Sequence, residues 1–188
     1  DEDQPEESRL FAVSCGIGFD AAVCAEAMSS RIKDTMNRIG LGKLTYLGIA
    51  LKQLITARKV SCTLTLEDNV HGTKHSLELP RFLFVTCMSH RYEGGGFMFC
   101  PPAIDHDGVL DLCSVGNISK GLVLLALPTA FFGKHYFVKG IDAFTATEMS
   151  ITTSAPLWVH TDGEVTRKSR GFRVECLPGA IRMITPLN

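Results

Sequence analysis

The order of the hydrophobic patterns along the chain is the feature that most restricts its fold. After one short apolar stretch, two stretches with helical spacing come early in the chain, and many short apolar or alternating stretches, separated by turn residues, follow them. Short strands that recur with Gly, Asn, Asp or Pro between them are typical of antiparallel sandwiches. The order therefore predicts an α+β domain that is mainly an antiparallel β-sandwich with a few helices.

Three segments have the spacing of helices. The first begins at Ala21, after two glycines at a tight turn, with Asp20 as its N-cap. The second covers 43–57, where leucines recur at helical intervals. The third covers 118–136, begins at the cap residue Ser119, and contains a proline that should kink or end it.

The remaining apolar stretches predict strands. Alternation of apolar and polar residues at 59–67 is typical of a half-buried strand, whereas the continuous apolar run at 81–88 indicates a central one. The full set of predicted strands is 9–15, 59–67, 74–80, 81–88, 109–115, 148–154, 157–162, 171–177 and 180–186.

Composition and charge exclude several classes of protein. The 188 residues carry a net charge of -1, which indicates neither a nucleic-acid interface nor a basic stripe for an anionic membrane. No stretch approaches the roughly 18 apolar residues of a membrane-spanning helix. The seven cysteines are irregularly spaced, which predicts reduced thiols in a cytoplasmic protein rather than disulfides or a zinc site.

The chain is predicted to form one domain after a short lead. Residues 1–8 are acidic and lack large apolar side chains, so we expect a disordered lead, and residues 9–188 form the domain. The acidic start is unlike a signal peptide, and the first residue is Asp rather than Met. We therefore expect a fragment or a processed chain.

The segment 92–112 is the most unusual passage. Its three consecutive glycines predict a backbone with positive φ or a close approach by another group, although a loose hairpin loop is also compatible. Farther on, Asp107-Gly108 predicts a tight turn that enters a strand. One carboxylate with nearby backbone carbonyls would suit Mg²⁺ or Ca²⁺. The alternative interpretation, an ordinary turn without a cation, stays open.

The segment "HTDGEV", 160–165, raises the same question. Asp162 and Glu164 flank a glycine, as in an ordinary hairpin turn or in one half of a phosphoryl-transfer site. Neither a Walker A loop nor a complete G-x-G-x-x-G appears, and no serine-hydrolase elbow is present. The residues alone leave both interpretations open.

Five segments, taken in order, resemble a known family. They are "SCGIGFDAAV" (14–23), "LGKLTYL" (41–47), "YEGGGFMFCPPAIDHDGVLDL" (92–112), "GKHYF" (133–137) and "HTDGE" (160–164). Together they resemble the C-terminal domain of the diacylglycerol-kinase and sphingosine-kinase superfamily, and the soluble bacterial lipid kinases in particular. The resemblance covers nearly the whole chain after the acidic lead.

The resemblance implies a two-domain kinase that transfers the γ-phosphate of ATP to a lipid hydroxyl. In that family an N-terminal domain with a "GGDG" loop binds ATP, and the active site lies in the cleft between the domains. This chain has no GGDG sequence. We therefore expect it to be the C-terminal half, inactive alone, of a cytoplasmic enzyme that works at the membrane surface. A homodimer is compatible with the sequence.

Site residues follow from the same resemblance, position by position. Glu164 matches the glutamate that helps to deprotonate the lipid hydroxyl or to organise Mg²⁺ and ATP, and Asp162 would orient its turn. Asp107 matches the aspartate of a structural Mg²⁺ site, completed by the backbone carbonyls of Ile104 and Val109. The cations expected near the phosphates of ATP are Arg38 and Lys43.

Two other functions stay open. The first is a non-catalytic β-sandwich module that binds a lipid or a partner protein, and the second is one half of an enzyme like NAD kinase. The "GGG…DG-L-D" block favours a lipid kinase over the dinucleotide kinase.

Overall fold

A computed structural model of the protein describes residues 8–29 and 42–181. These residues form seven antiparallel strands and three α-helices, which confirms the predicted fold class. The strands are β1 Ser14–Gly18, β2 Val60–Asp68, β3 Thr73–Met88, β4 Leu110–Gly116, β5 Ile141–Ala146, β6 Glu148–Thr161 and β7 Glu164–Glu175. The helices are α1 Phe19–Ser29, α2 Gly42–Thr56 and α3 Lys120–Ala126, with short 3-10 helices at Gly94–Gly96, Leu127–Phe132 and His135–Phe137.

Two long strands fold the sheet back on itself. The first part of β3 pairs with β2 and its last part with β1, and β6 divides in the same way between the same two partners. Pro156 lies in the interval of β6 between its two partners, and Pro80 lies at the register shift of the β2–β3 ladder, just before β3 changes partner. Proline has no N–H to donate to a ladder, which suits it to such irregular positions. The pairings among these four strands form a closed ring around a core, as in a sandwich.

These partner changes explain an error in the predicted strands. The sequence predicted separate strands at 74–80 and 81–88, and at 148–154 and 157–162, whereas each pair is one continuous strand. The prolines interrupt the local pattern without reversing the chain. The structure adds β5, which the sequence did not predict, and the predicted strand 180–186 lies almost wholly outside the described residues.

Two hydrophobic clusters lie on opposite sides of the sheet. In β3, Phe82 and Cys87 point into the cluster enclosed by the strands, while Leu83 and Met88 point toward the helices. The helical cluster includes Leu54 of α2 and buried side chains of α1 and α3. Because both faces of β3 are covered here, its sequence is a continuous apolar run rather than an alternating one.

The start of the domain differs from the prediction. The first strand covers Ser14–Gly18 rather than 9–15, so the two glycines lie in the strand rather than in a turn. Helix α1 begins at Phe19, which places Asp20 in its first turn. Asp20 is buried there and is not the N-cap, because its carboxylate is used in a tertiary contact.

The third predicted helix is shorter than expected. Ser119 caps α3 as predicted, accepting a hydrogen bond from the Leu122 backbone N–H at 3.2 Å. The α-helix ends at Ala126, and Pro128 lies in the 3-10 helix that follows. The second helix agrees with its prediction to within one residue at each end.

In the described part of the chain, none of the helices has the length and apolar character needed to cross a bilayer. The same residues contain no disulfide, and five cysteines are buried: Cys15, Cys62, Cys87, Cys100 and Cys113.

Candidate active site

The candidate site is built around the hairpin that joins β6 to β7. Thr161 and Glu164 pair across the hairpin, so Asp162 and Gly163 form a two-residue loop. Their φ angles are 50° and 80°. Positive φ at both loop residues is the geometry of a type I′ turn, for which Asp-Gly is a favoured sequence. The turn places Glu164 at the first position of β7.

The carboxylate of Asp162 ties this turn to the start of β1. It accepts hydrogen bonds from the backbone N–H groups of Ala12, Val13 and Ser14, at 2.8, 2.8 and 2.9 Å. The Asp162 N–H donates in return to the Ser14 carbonyl at 2.7 Å. Partial burial raises the pKa of Asp162, but the three N–H groups outweigh it and hold the pKa below its usual value.

A buried network of polar side chains lies beneath the turn. His160 is fully buried, and its Nε2 lies 3.0 Å from Asp20 Oδ2 and 3.6 Å from Glu93 Oε1. Ser14 Oγ donates to the same Glu93 oxygen at 2.8 Å. On the other side of the ring, the Gly163 N–H donates to His160 Nδ1 at 3.3 Å. The histidine therefore connects the turn to α1 and to the triple-glycine segment.

The network combines one histidine with several carboxylates. Burial lowers the pKa of His160, but the carboxylates of Asp20, Glu93 and Asp162 outweigh it and raise the pKa. Burial also raises the pKa of Glu93. The second oxygen of Asp20, Oδ1, is buried and has no hydrogen-bond partner among the described residues. The hydrogen-bonding capacity of the network is thus not fully used within the described residues.

Glycine makes room for the network in β1. A Cβ at Gly16 would lie 2.2 Å from Asp20 Oδ2 and 2.7 Å from His160 Nε2. Both distances are far below van der Waals contact, so any larger residue would displace the hydrogen-bonded pair. The need for glycine at 16 is therefore steric and arises from side chains that are distant in the sequence.

The triple glycine forms a compact turn that carries Glu93. Glu93 and Phe97 pair as an isolated bridge, with the Glu93 N–H 2.8 Å from the Phe97 carbonyl. Gly96 has a φ of 87°, which confirms the predicted need for positive φ. The other predicted reason for glycine, a close approach by another group, does not apply at Gly94 or Gly96, since an added Cβ would contact nothing within 4 Å.

Glu164 lies on the exposed side of the turn. Its side chain borders a depression of about 400 Å³, together with Arg9, Thr161 and Asp162. The structure thus places Glu164 and Asp162 on one hairpin, with different environments. Asp162 is committed to backbone hydrogen bonds, whereas Glu164 faces open space.

The predicted cation site lies on a separate turn. Asp107 Oδ1 accepts a hydrogen bond from the Val109 N–H at 3.1 Å, and Gly108 has a φ of 81°. Ile104 is exposed at the edge of the same loop. The pKa of the neighbouring Asp111 is raised to about 6, mainly by burial and also by the negative charge of Asp107.

The donors on this turn fit a hard cation in type. One carboxylate and two backbone carbonyls are all oxygen ligands, and Mg²⁺ commonly completes such a set with water. Within 8–29 and 42–181, no group of three or more His, Cys, Asp or Glu side chains is placed to hold a metal. A cation at Asp107 would therefore depend on carbonyl and water ligands.

The two predicted phosphate-binding cations are not located by the structure. Arg38 lies outside the described residues, and the side chain of Lys43, near the start of α2, lies outside them as well. Their role stays a prediction.

A cavity of about 720 Å³ is lined by residues next to both turns. Its lining includes Ile104 and Val109 on one side and Thr161 on another, with apolar side chains of β6, β7 and the segment after β7 between them. This volume is within the usual range for small-molecule sites. Residues 119–132, which include α3, do not line it.

Comparison with protein families identifies this arrangement. Residues 13–185 match the model described as the YegS C-terminal NAD kinase beta sandwich-like domain. The chain belongs to this family. Membership confirms the resemblance to lipid kinases that the five segments indicated.

Individual relatives of the domain are bacterial. The chain is 31% identical over 148 residues to a Xanthomonas euvesicatoria protein called "Probable lipid kinase YegS-like", covering 78% of this chain and 45% of the relative. It is 25% identical over 166 residues to a diacylglycerol kinase of Mycobacterium tuberculosis, covering 87% of this chain and 51% of the relative.

A solved structure shares the fold. A diacylglycerol kinase from Bacillus anthracis str. Sterne superposes with a TM-score of 0.56 at 23% identity, covering 90% of this chain and 50% of that one. The chain spans about half the length of the curated relatives that it matches.

The sequence did not identify the buried network. Glu93 and His160 lie within segments that were singled out, but residues 20, 93 and 160 have no common spacing. The only signal was their presence in three segments that resemble one family. Their contact depends on the pairing of β1 with β3 and β6.

The charge of Asp162 should stabilise the domain in a pH-dependent way. Asn at this position tolerates positive φ but offers fewer acceptor sites to the three N–H groups, so Asp162→Asn should cost about 1–2 kcal/mol at neutral pH. Because the folded pKa lies below 3.8, the stability difference should persist above that pH and vanish as the pH falls through the folded pKa. Urea unfolding of both proteins across this range measures it, and a pH-independent difference would contradict the assignment.

The packing of the network should make substitution by alanine far more destabilising at Gly16 than at another strand glycine. Gly16→Ala should lower the free energy of unfolding by about 1–3 kcal/mol, because the added Cβ displaces Asp20 or His160. Gly116→Ala in β4 is the matched control, since its Cβ would meet nothing closer than 3.7 Å and should change stability by less than about 1 kcal/mol. Equal effects in denaturant titrations would refute the steric role of Gly16.

Proposed function

We propose that this chain is the C-terminal half of an ATP-dependent lipid kinase. The γ-phosphate of ATP would pass to a lipid hydroxyl, in a site completed by an N-terminal nucleotide-binding domain. The observation that carries the proposal is the β6–β7 hairpin, where Asp162 is fixed by three backbone N–H groups and Glu164 is left exposed beside it. Family membership and the names of the relatives support the same reaction.

In the proposed reaction, the lipid hydroxyl oxygen forms a bond to the γ-phosphorus while the bond from that phosphorus to the β–γ bridging oxygen breaks. ADP leaves, and the hydroxyl proton passes to the carboxylate of Glu164. A carboxylate within hydrogen-bond reach of the hydroxyl suits this step because an alcohol is a weak nucleophile. The rest of the barrier is lowered by positioning and by charge stabilisation of the phosphoryl group.

The buried network would position Glu164. His160 accepts from the Gly163 N–H and is itself oriented by Asp20, so the turn has support from below as well as from Asp162. A type I′ turn held at both residues leaves little freedom to the first residue of β7. When geometry limits the rate, holding the carboxylate in the correct position relative to the hydroxyl raises the rate more than making the carboxylate a stronger base.

A divalent cation on the Asp107 turn would have a structural role, holding the turn in place. Asp107, with the carbonyls of Ile104 and Val109, would bind Mg²⁺, which when bound supplies a fixed positive charge beside the cavity. Arg38 and Lys43 would contact the phosphates of ATP. These assignments come from the family resemblance, and oxygen donors on the turn support the first of them.

The cavity between the turns suits part of a lipid. Apolar side chains such as Phe172 and Val174 line it, and polar groups lie at its edge near Thr161. A hydroxyl at that edge would be close to the hairpin, with the acyl portion toward the apolar lining. The enzyme would take its substrate from a membrane surface and act in the cytoplasm, with ATP, the lipid and its own N-terminal domain as partners.

Replacing Glu164 should test the proposed chemistry. In the full-length protein that contains this chain, Glu164→Gln should lower the rate of lipid phosphorylation by about 10²–10⁴-fold, because the amide cannot accept the proton. Radiolabelled ATP and a lipid panel of diacylglycerol, phospholipids, sphingoid bases and polyprenols would identify the product.

Glu78→Gln, at an exposed position on β3 that lines neither the depression nor the cavity, is the matched control and should leave the rate unchanged. Near-normal turnover of the Glu164 variant would refute its role. Phosphate transfer to NAD rather than to any lipid would favour the dinucleotide-kinase alternative, and no transfer to either would favour a binding module.

Added Mg²⁺ should stabilise the isolated chain. At about tenfold over its dissociation constant, the ion contributes about 1.4 kcal/mol and should raise the melting temperature by about 3–5 °C. Asp107→Asn should remove this shift, while Asp105→Asn should retain it, because Asp105 is paired with His106. A melting temperature that does not respond to Mg²⁺ in the unmutated chain would contradict the cation site.

A further inference from the structure

A set of large apolar side chains is exposed on α3 and the two 3-10 helices after it. The exposed fractions are 46% for Leu122, 71% for Leu125, and 73% for both Phe132 and Phe137. The opposite side of α3 is buried in the helical core through Val123. The segment is therefore anchored on one side and exposes apolar groups on the other. We refer to residues 120–139 as the apolar segment.

The apolar segment adjoins exposed apolar residues at the end of α2. Lys120 Nζ donates to the Ile55 carbonyl at 2.5 Å, which brings the start of α3 against α2. Ile55 is 67% exposed, and Leu51, one turn before it, is also exposed. Two neighbouring elements thus present apolar side chains to solvent in one region. Exposed apolar groups in this number mark an interaction surface more often than a solvated face.

Charge in this region is strongly one-sided. The apolar segment contains three lysines, Lys120, Lys134 and Lys139, and no Asp or Glu residue. At the end of α2, Lys52 is paired with Glu26 of α1 at 2.6 Å. Lys134 and Lys139 are exposed within the apolar segment. The small net charge of the chain therefore conceals a basic region, balanced by acidic residues elsewhere.

Cations also crowd together beside α3. Lys59 Nζ donates to the Ile118 carbonyl, just before Ser119. Burial lowers the pKa of Lys59, and the positive charges of Arg81 and Lys120 lower it further. Mutual repulsion of this kind is relieved when a negatively charged surface approaches.

We propose that the apolar segment and the adjoining end of α2 dock on an anionic lipid bilayer. The exposed leucines and phenylalanines would enter the boundary between headgroups and acyl chains, and the lysines would contact anionic headgroups. Exposed apolar side chains combined with an excess of cations over carboxylates are the features of a surface that lies on a membrane. Docking requires neither ATP nor Glu164, so the docking proposal can be tested independently of the proposed kinase reaction.

A second copy of the chain fits this surface less well. In a two-fold dimer the same patch faces itself, so the lysines of one protomer would meet those of the other. An anionic bilayer supplies the opposite charge and an apolar interior together. The charge pattern thus favours a lipid surface as the occupant.

Vesicle flotation of the 188-residue chain tests the proposal. Binding to vesicles of phosphatidylcholine with phosphatidylglycerol should exceed binding to phosphatidylcholine alone and should weaken with added salt. The double variant Leu125→Glu, Phe132→Glu should reduce binding to the anionic vesicles by at least about tenfold, because two charges would enter the lipid boundary. Lys134→Glu with Lys139→Glu should reduce it as well.

Matched controls use exposed residues far from the segment. Val70→Glu, at a residue 76% exposed in the β2–β3 turn, should leave binding unchanged, as should Lys168→Glu on β7. All these positions are exposed, and unchanged melting temperatures would verify that the variants fold.

Three results would overturn the proposal. The first is equal binding to neutral and anionic vesicles, or binding to neither. The second is unchanged binding by the double variant. The third is a change in the molar mass of the chain, measured by light scattering of the double variant, without a change in vesicle binding. That result would identify a protein as the occupant of the surface.

Discussion

The hydrogen bonds from residues 12–14 to the carboxylate of Asp162 are the interaction on which the candidate site depends. They join the start of β1 to the β6–β7 hairpin, and so fix the turn that presents Glu164. An aspartate is suited to this contact because its two oxygens accept several N–H groups and because it tolerates positive φ. The same residue type therefore meets an electrostatic and a conformational requirement at one position.

The buried polar network is the second support of the turn. His160 links Gly163 to Asp20, and Gly16 is small because those two side chains need its space. Placing carboxylates and an imidazole in the interior is costly unless they are paired, and Asp20 retains one unpartnered oxygen among the described residues. Such an arrangement is more readily explained by the positioning of a functional turn than by stability, since apolar packing would stabilise the core more simply.

The fold separates the molecule into surfaces with different chemistry. The hairpin, the Asp107 turn and the cavity between them lie toward the strand-enclosed core, whereas α2, α3 and the 3-10 helices cover the other face of the sheet. Carboxylates surround the buried His160 beneath the hairpin, whereas the apolar segment has cations without carboxylates. For an enzyme whose proposed substrate lies in a membrane, this segregation would let one face bind lipid while another performs chemistry.

The sequence by itself determined the fold class, the starts of the helices to within a few residues, the Asp-Gly hairpin and, through five segments, the family. Those features depend on local periodicity and turn chemistry, which neighbouring residues specify. Tertiary structure alone decided that β3 and β6 continue past Pro80 and Pro156 and then change partners, because ladder pairing is a property of two strands rather than one. It also decided that Asp20 binds His160 instead of capping α1. Residues 20, 93 and 160 meet only because β1 lies between β3 and β6, and a single sequence contains no periodic signal of that contact.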